Sequence, residues 1–129
     1  INAEGEDLSG RLIPAVEVRL RGLYRLLPPD YYEAADNLAD FCDRIEKQYG
    51  VRPVIYCTER TCKNIVASDS RFNKDKIWYE SLFSKPDEDM DWTFWTYTNR
   101  VKFSFYESGE YLHMTVFNGS EDDFKKLIL

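Results

Sequence analysis

One histidine and three cysteines, with no CxxC spacing, are all that this chain of 129 residues offers a soft metal ion. A closed structural zinc site takes four Cys or His ligands, usually in closely spaced pairs, so no metal and no cofactor is expected. An excess of positive charge is missing as well: 17 Lys and Arg stand against 23 Asp and Glu, a net charge of −6. Nucleic-acid partners normally demand a basic patch, and here the cations are scattered among acids, so no nucleic-acid partner is expected. No apolar run approaches the roughly 20 residues needed to cross a bilayer. The opening INAEGEDLSG also lacks the basic stretch and apolar run of a secretory signal. The chain starts at Ile1 rather than Met, from which we expect that an upstream segment is missing. Localisation is not legible in these residues.

What is present is apolar and aromatic. Residues of hydrophobic type make up 43% and aromatics 16%, enough for one packed core, and a single domain over 1–129 is expected. Cys42 falls on an apolar helix face and Cys57 in an apolar strand. Buried free thiols are the simpler reading for these and for Cys62, with one disulfide pair left open.

Strands and helices alternate. Leu12 to Leu20 reads as a first strand, followed by an Arg- and Leu-rich segment ending at Pro28-Pro29. Asp30 and Glu33 then form a capping-box pattern. Apolar residues at Tyr31, Ala34, Ala35, Leu38, Phe41, Cys42, Ile45 and Tyr49 recur at helical spacing, and Gly50 is placed to stop that helix. Arg52 to Cys57 reads as a buried strand, with Thr58 capping a helix through about Ala67. Lys76 to Leu82 and Trp92 to Thr98 read as two more strands with only a Pro- and Asp-rich loop between them. Val101 to Tyr106 and Tyr111 to Phe117 read as a hairpin around Ser108-Gly109, and Ser120 with Asp123 caps a closing helix. The pattern predicts an α/β sheet made mixed by the late hairpin.

The stretch Ile13 to Arg19, IPAVEVR, carries the functional question. Glu17 and Arg19 are two apart and share one face of an extended chain, while Val16 and Val18 share the other. Charge on so apolar a strand needs a partner or a purpose. Glu17 is read first as paired with Arg19, and second as a catalytic acid or base.

Several short motifs agree in order. GVRPVIYCT (Gly50 to Thr58), KIWYESL, WTFWTYT and YLHMTVFNGSEDDFKKL (Tyr111 to Leu127) resemble the C-terminal part of glycoside hydrolase family 25 lysozymes. Members of that family show Pro-Ile-Ile-Tyr, Leu-Trp-Ile-Ala, Trp-Gln-Tyr and Asp-Leu-Asn-Val-Phe-Asn-Gly in corresponding places, and IPAVEVR falls where they carry a Leu-Asp-x-Glu strand. The resemblance, over about Ile13 to Leu129, implies a partial or modified TIM-type (β/α) barrel. It also implies muramidase chemistry on peptidoglycan, an extracellular or cell-envelope setting, and a groove at the C-terminal ends of the strands. A TIM-type barrel usually takes on the order of 250 residues, and the family's first strands have no counterpart here.

The chemistry departs from the family at specific positions. Glycoside hydrolysis needs two carboxyl groups, or one carboxylic acid and a neighbouring group of the substrate. By the resemblance, Glu17 holds the Asp position and Arg19 holds that of the general acid, and a guanidinium does not give up its proton. His113-Met114-Thr115 stands in place of Asp-Leu-Asn, Thr96 in place of Gln, and Glu80 where Ala is common. Glu17 is therefore the remaining catalytic candidate. Arg19, Tyr56, Trp78, Glu80, Trp95, Tyr97 and His113 are candidates for substrate contact, with core packing the alternative for the aromatics and a structural hydrogen bond for His113. The acids from Asp87 to Asp91 read as a solvated rim.

Three functional expectations follow. The first is a lysozyme-like domain impaired in catalysis and retaining at most glycan binding. The second is an active muramidase completed by a missing N-terminal segment or a second chain. The third is an assembly or interaction protein, since part of a barrel exposes strand edges and an apolar face, which predicts a homo-oligomer.

Overall fold

The computed structural model describes residues 7–20, 30–105 and 109–129. Five strands form one sheet in chain order: β1 (Ala15–Val18), β2 (Val54–Thr58), β3 (Ile77–Glu80), β4 (Phe94–Val101) and β5 (Leu112–Phe117). The first four run parallel, and β5 is antiparallel to β4. Parallel neighbours need crossovers. Helix α1 (Tyr31–Tyr49) makes the first, and α2 (Glu59–Thr61), running on into a π-helical turn over Cys62–Val66, lies on the second. A third helix, α3 (Glu121–Lys125), follows β5.

Local chemistry sets these boundaries. The Asp30 carboxylate accepts from the amides of Tyr32 and Glu33, starting α1. Gly50 ends it at φ 72°, a conformation that costs glycine little, with its amide on the Glu46 carbonyl. Ala35, Leu38, Ala39, Cys42 and Ile45 form the buried stripe, while Phe41, expected inside, sits at its edge and is 41% exposed. None of the helices formed by the described residues is long and apolar enough to cross a membrane.

The sheet has a core on each side. On one, Val16, Ile55, Cys57, Ile77 and Tyr79 meet α1 and the π-helical turn. On the other, Ile13, Val54, Phe94 and Leu127 are buried together, with Trp78, Phe117 and Phe124 against them. This smaller core is closed where the parallel strands begin. Leu12 bridges Ile128, and the amides of Ile13 and Leu129 bond the carbonyls of Leu127 and Arg11 at 2.8 and 2.9 Å. Beyond it, towards the strands' C-terminal ends, the same face carries charge.

One expectation is corrected here. Val101–Tyr106 is not a separate strand: β4 runs to Val101 and is itself the hairpin partner of β5. Register shifts between Thr96 and Thr98 and again before Val101 absorb the extra residues. Tyr106 and Ser108 lie outside the described residues, as does the Arg- and Leu-rich stretch at 21–29. The expected mixed α/β sheet is found, and among the described residues it is open, with β1 and β5 at its two edges.

Helix α3 depends on one capping box. The Ser120 hydroxyl accepts from the Asp123 amide while the Asp123 carboxylate accepts from the Ser120 amide. Lys126, followed by Ser120, holds the Asp123 carboxyl well below the ordinary carboxylate range. A depressed folded-state value means the contribution is present above the unfolded carboxylate range and fades as pH falls through the folded one. We expect helical 13Cα shifts at 121–125 to collapse on acidification before those of α1. Asp123→Asn should bring that loss to neutral pH, and α3 shifts unchanged in that variant would refute the assignment.

Candidate functional site

Strand register gathers the candidate residues. In this sheet Glu17 lies beside Tyr56, Tyr56 beside Trp78, Trp78 beside Phe94, and Phe94 beside Phe117. One step on towards the C-terminal ends, Thr58, Glu80, Thr96 and Thr115 form a second row. Side chains two apart on a strand share a face, so both rows project from the side opposite α1. Short strands suffice here because each supplies only two or three residues to this face.

Glu17 and Arg19 are bonded to one another, Arg19 Nε donating to the Glu17 carboxylate. Both side chains are about half exposed, at 45% and 49%, so this is a surface ion pair at a sheet edge. Such pairs add little stability. The bond from Glu17 pushes the Arg19 guanidinium above its already high value, with smaller contributions from Glu80 and Tyr56. Arg19 thus meets Glu17 directly and feels Glu80 and Tyr56 only through their charge at longer range.

Tyr56 donates its hydroxyl hydrogen to the Glu80 carboxylate. Burial first, and then Glu80, push the phenol well above its ordinary value. Tyr56 is thus a donor across the neutral range. Trp78 packs edge-on against Tyr56 with ring centroids 5.2 Å apart, and its Nε1 donates to Thr96 Oγ1 at 2.9 Å. That oxygen lies 2.7 Å from Thr115 Oγ1. Three strands are fastened side to side by this chain, and Thr96 is 2% exposed.

Trp95 and Tyr97 do not join this group. The register that pairs Glu80 with Thr96 pairs Tyr79 with Trp95, which turns Trp95 and Tyr97 to the helix side. There Trp95 Nε1 donates to the Ser81 carbonyl at 3.0 Å, and its ring meets Trp92 and Tyr97. Of the two readings open for Trp95, substrate contact or core packing, this alternation places its ring on the helix side. His113 is exposed on β5 at an apolar hollow of ≈ 480 Å³, whose walls include Trp78, Phe94 and Phe117. Among the described residues it has no carboxylate partner.

The threonines at positions 58, 96 and 115 also belong to this face; from sequence Thr58 reads only as a helix cap, and Thr96 and Thr115 only as replacements of family residues, not as substrate contacts. The available signal for Thr96 was the two-residue period of WTFWTYT, which sets Phe94 and Thr96 on one face and Trp95 and Tyr97 on the other but leaves open which set points to the helices. As it stands, the cluster accepts hydrogen bonds at Glu17 and Glu80 and donates them from Arg19 and Tyr56. Each carboxylate meets a donor through one of its oxygens.

The family model for glycosyl hydrolases family 25 matches residues 24–104, more than half of the chain. The solved structure of a family 25 glycosyl hydrolase from Bacillus anthracis is similar, with a TM-score of 0.76 and 27% sequence identity. The match covers 92% of this chain and 55% of that one, so this chain spans about half the length of that neighbour. No curated protein matches the chain.

Proposed function

Because this chain belongs to glycosyl hydrolases family 25, we propose that it is a lysozyme-like domain that binds peptidoglycan through the Glu17–Glu80 face and is impaired in cutting it. One observation carries the reading. Arg19, at the position that the resemblance gives to the general acid, is bonded to Glu17. A glycosidic oxygen leaves readily only when an acid protonates it, and a guanidinium holds its protons. Glu80, the other carboxylate on this face, accepts from Tyr56 and is likewise an acceptor. Sugar hydroxyls are matched by such a surface, in which carboxylates accept and Arg19 donates.

The test is direct. With purified cell walls the protein should sediment bound, while release of reducing sugar stays at the buffer level. Turnover that disappears in Glu17→Gln would overturn the reading.

A second reading is favoured by the open edges of β1 and β5. Strands from an N-terminal segment or a second chain would close the sheet into a barrel and supply a carboxylate facing Glu17. This reading predicts that a longer chain releases reducing sugar in the same assay where residues 1–129 do not. Light scattering separates the second-chain form, because it requires a dimer or larger assembly.

A further inference from the structure

The hollow of ≈ 480 Å³ on the open face of the sheet stands at the end of a hydrogen-bond chain whose direction can be worked out. Trp78 Nε1 can only donate, and it donates to Thr96 Oγ1 at 2.9 Å. Thr96 is 2% exposed, and among the described residues the acceptor that its own hydroxyl hydrogen meets is Thr115 Oγ1, 2.7 Å away. A buried donor left unpaired is costly, so Thr96 donates and Thr115 accepts. That leaves the hydroxyl hydrogen of Thr115 unspent. Thr115 is exposed and forms part of the wall of the hollow, which therefore carries one donor, strengthened by the two bonds behind it.

The rest of the wall is apolar and rich in rings. Trp78, Phe94 and Phe117 follow one another across three strands, with centroids 5.2 and 5.4 Å apart, and Phe124 packs against Phe117 at 5.3 Å. Apart from the exposed His113, the described residues put no titratable side chain in this wall.

We propose that the hollow binds a small neutral aromatic compound bearing one carbonyl group, its rings against Phe94 and Phe117 and its carbonyl oxygen accepting from Thr115. Size follows from the volume: an apolar cavity of about 150 Å³ takes benzene, so this one has room for two fused rings. Neutrality follows from the wall, where no carboxylate, lysine or arginine among the described residues would replace the hydration that a charged ligand gives up. A saccharide is matched poorly for the same reason, because its several hydroxyls would meet one donor and leave the others unpaired. Neither Glu17 nor Glu80 is in this wall, so the proposal stands apart from glycan binding at those residues.

The one histidine of the chain serves as reporter. The native protein is titrated with 2-acetylnaphthalene, with 2-ethylnaphthalene, which has a similar shape and no acceptor, and with 2-naphthoate, while the ring protons of His113 are followed by NMR. Both neutral compounds should shift them saturably, through the ring current of the bound naphthalene. Thr115→Val keeps the shape of an exposed strand residue and removes its hydroxyl. It should weaken 2-acetylnaphthalene about fivefold, as expected for one neutral hydrogen bond, and leave 2-ethylnaphthalene unchanged. In the wild type, the carbonyl 13C signal of bound 2-acetylnaphthalene should lie downfield of its value in cyclohexane, a readout that needs no variant. No saturable shift at His113, an equal effect of Thr115→Val on both neutral compounds, a bound carbonyl signal at its cyclohexane value, or tighter binding of 2-naphthoate than of 2-acetylnaphthalene would each overturn the proposal. A dimer by light scattering in which His113 ignores all three compounds would overturn it in favour of a second copy covering the hollow.

Discussion

Arg52→Met is expected to destabilise the fold by about 3–5 kcal/mol, the cost of leaving a buried charge without its partner. Arg52 lies between α1 and β2. Its Nη1 meets Asp43 at 2.7 Å and Glu46 at 3.2 Å, both on α1, and its Nε bonds Asp75, which precedes β3. Exposure decides which contact matters. Asp43 and Glu46 are 70% and 50% exposed, whereas the Asp75 side chain is 2% exposed. The two surface pairs are worth little. Asp75 has no such latitude, because its Oδ2 already has no donor among the described residues.

The control is Asp75→Asn, which keeps Arg52 in place. It should cost less, because Arg52 is partly solvated and retains two acids. The double replacement of Arg52 by Met and Asp75 by Leu should recover much of the loss, since neither partner then leaves an unpaired buried charge. Urea unfolding with unchanged m-values measures all three. An Arg52→Met midpoint within about 1 kcal/mol of wild type would refute the assignment.

Long periodic elements and their caps were legible in the sequence. Helix α1 was readable at both ends because Asp30 and Gly50 satisfy end groups that any helix leaves open. The Ser120–Asp123 box marked α3 for the same reason. Less was legible where tertiary contacts decide. Nothing local announces the π-helical turn at Cys62–Val66, which follows only three α-helical residues. The end of β4 was misread because Val101 to Tyr106 alternates like a strand, while pairing with β5 is decided by the bulges after Thr96. Arg52, between Val51 and Pro53, reads as a strand charge, and its partners lie 6, 9 and 23 residues away.

The site was legible by strand and illegible by face. Glu17 and Arg19 could be paired because they are two residues apart. Placing Tyr56 beside Glu80 needs the β2–β3 register, which fixes Thr58 against Glu80 and leaves Tyr56 free to reach across. Trp78 and Trp95 stood level from sequence alone, and the parity that separates them is a single step of register.

That parity supports the second large effect. Glu80→Gln is expected to weaken binding of soluble peptidoglycan oligosaccharides roughly tenfold, and the double replacement of Glu17 and Glu80 by Gln roughly a hundredfold or more. A hydrogen bond to an ionised group contributes about 1.5–3 kcal/mol, and each 1.4 kcal/mol is a factor of about ten in affinity. Glutamine keeps the length and shape of the side chain and still accepts from Tyr56, so lost charge rather than lost packing is being read. Trp95→Phe, on the helix side, should leave affinity unchanged and cost stability through the lost bond to the Ser81 carbonyl. Titration calorimetry with the same oligosaccharides, alongside urea unfolding of each variant, separates the two effects. If the double glutamine variant binds like wild type, glycan does not dock on the Glu17–Glu80 face. If Trp95→Phe alone abolishes binding, the ligand surface lies on the helix side, and the open face is then better read as the part that closing strands cover.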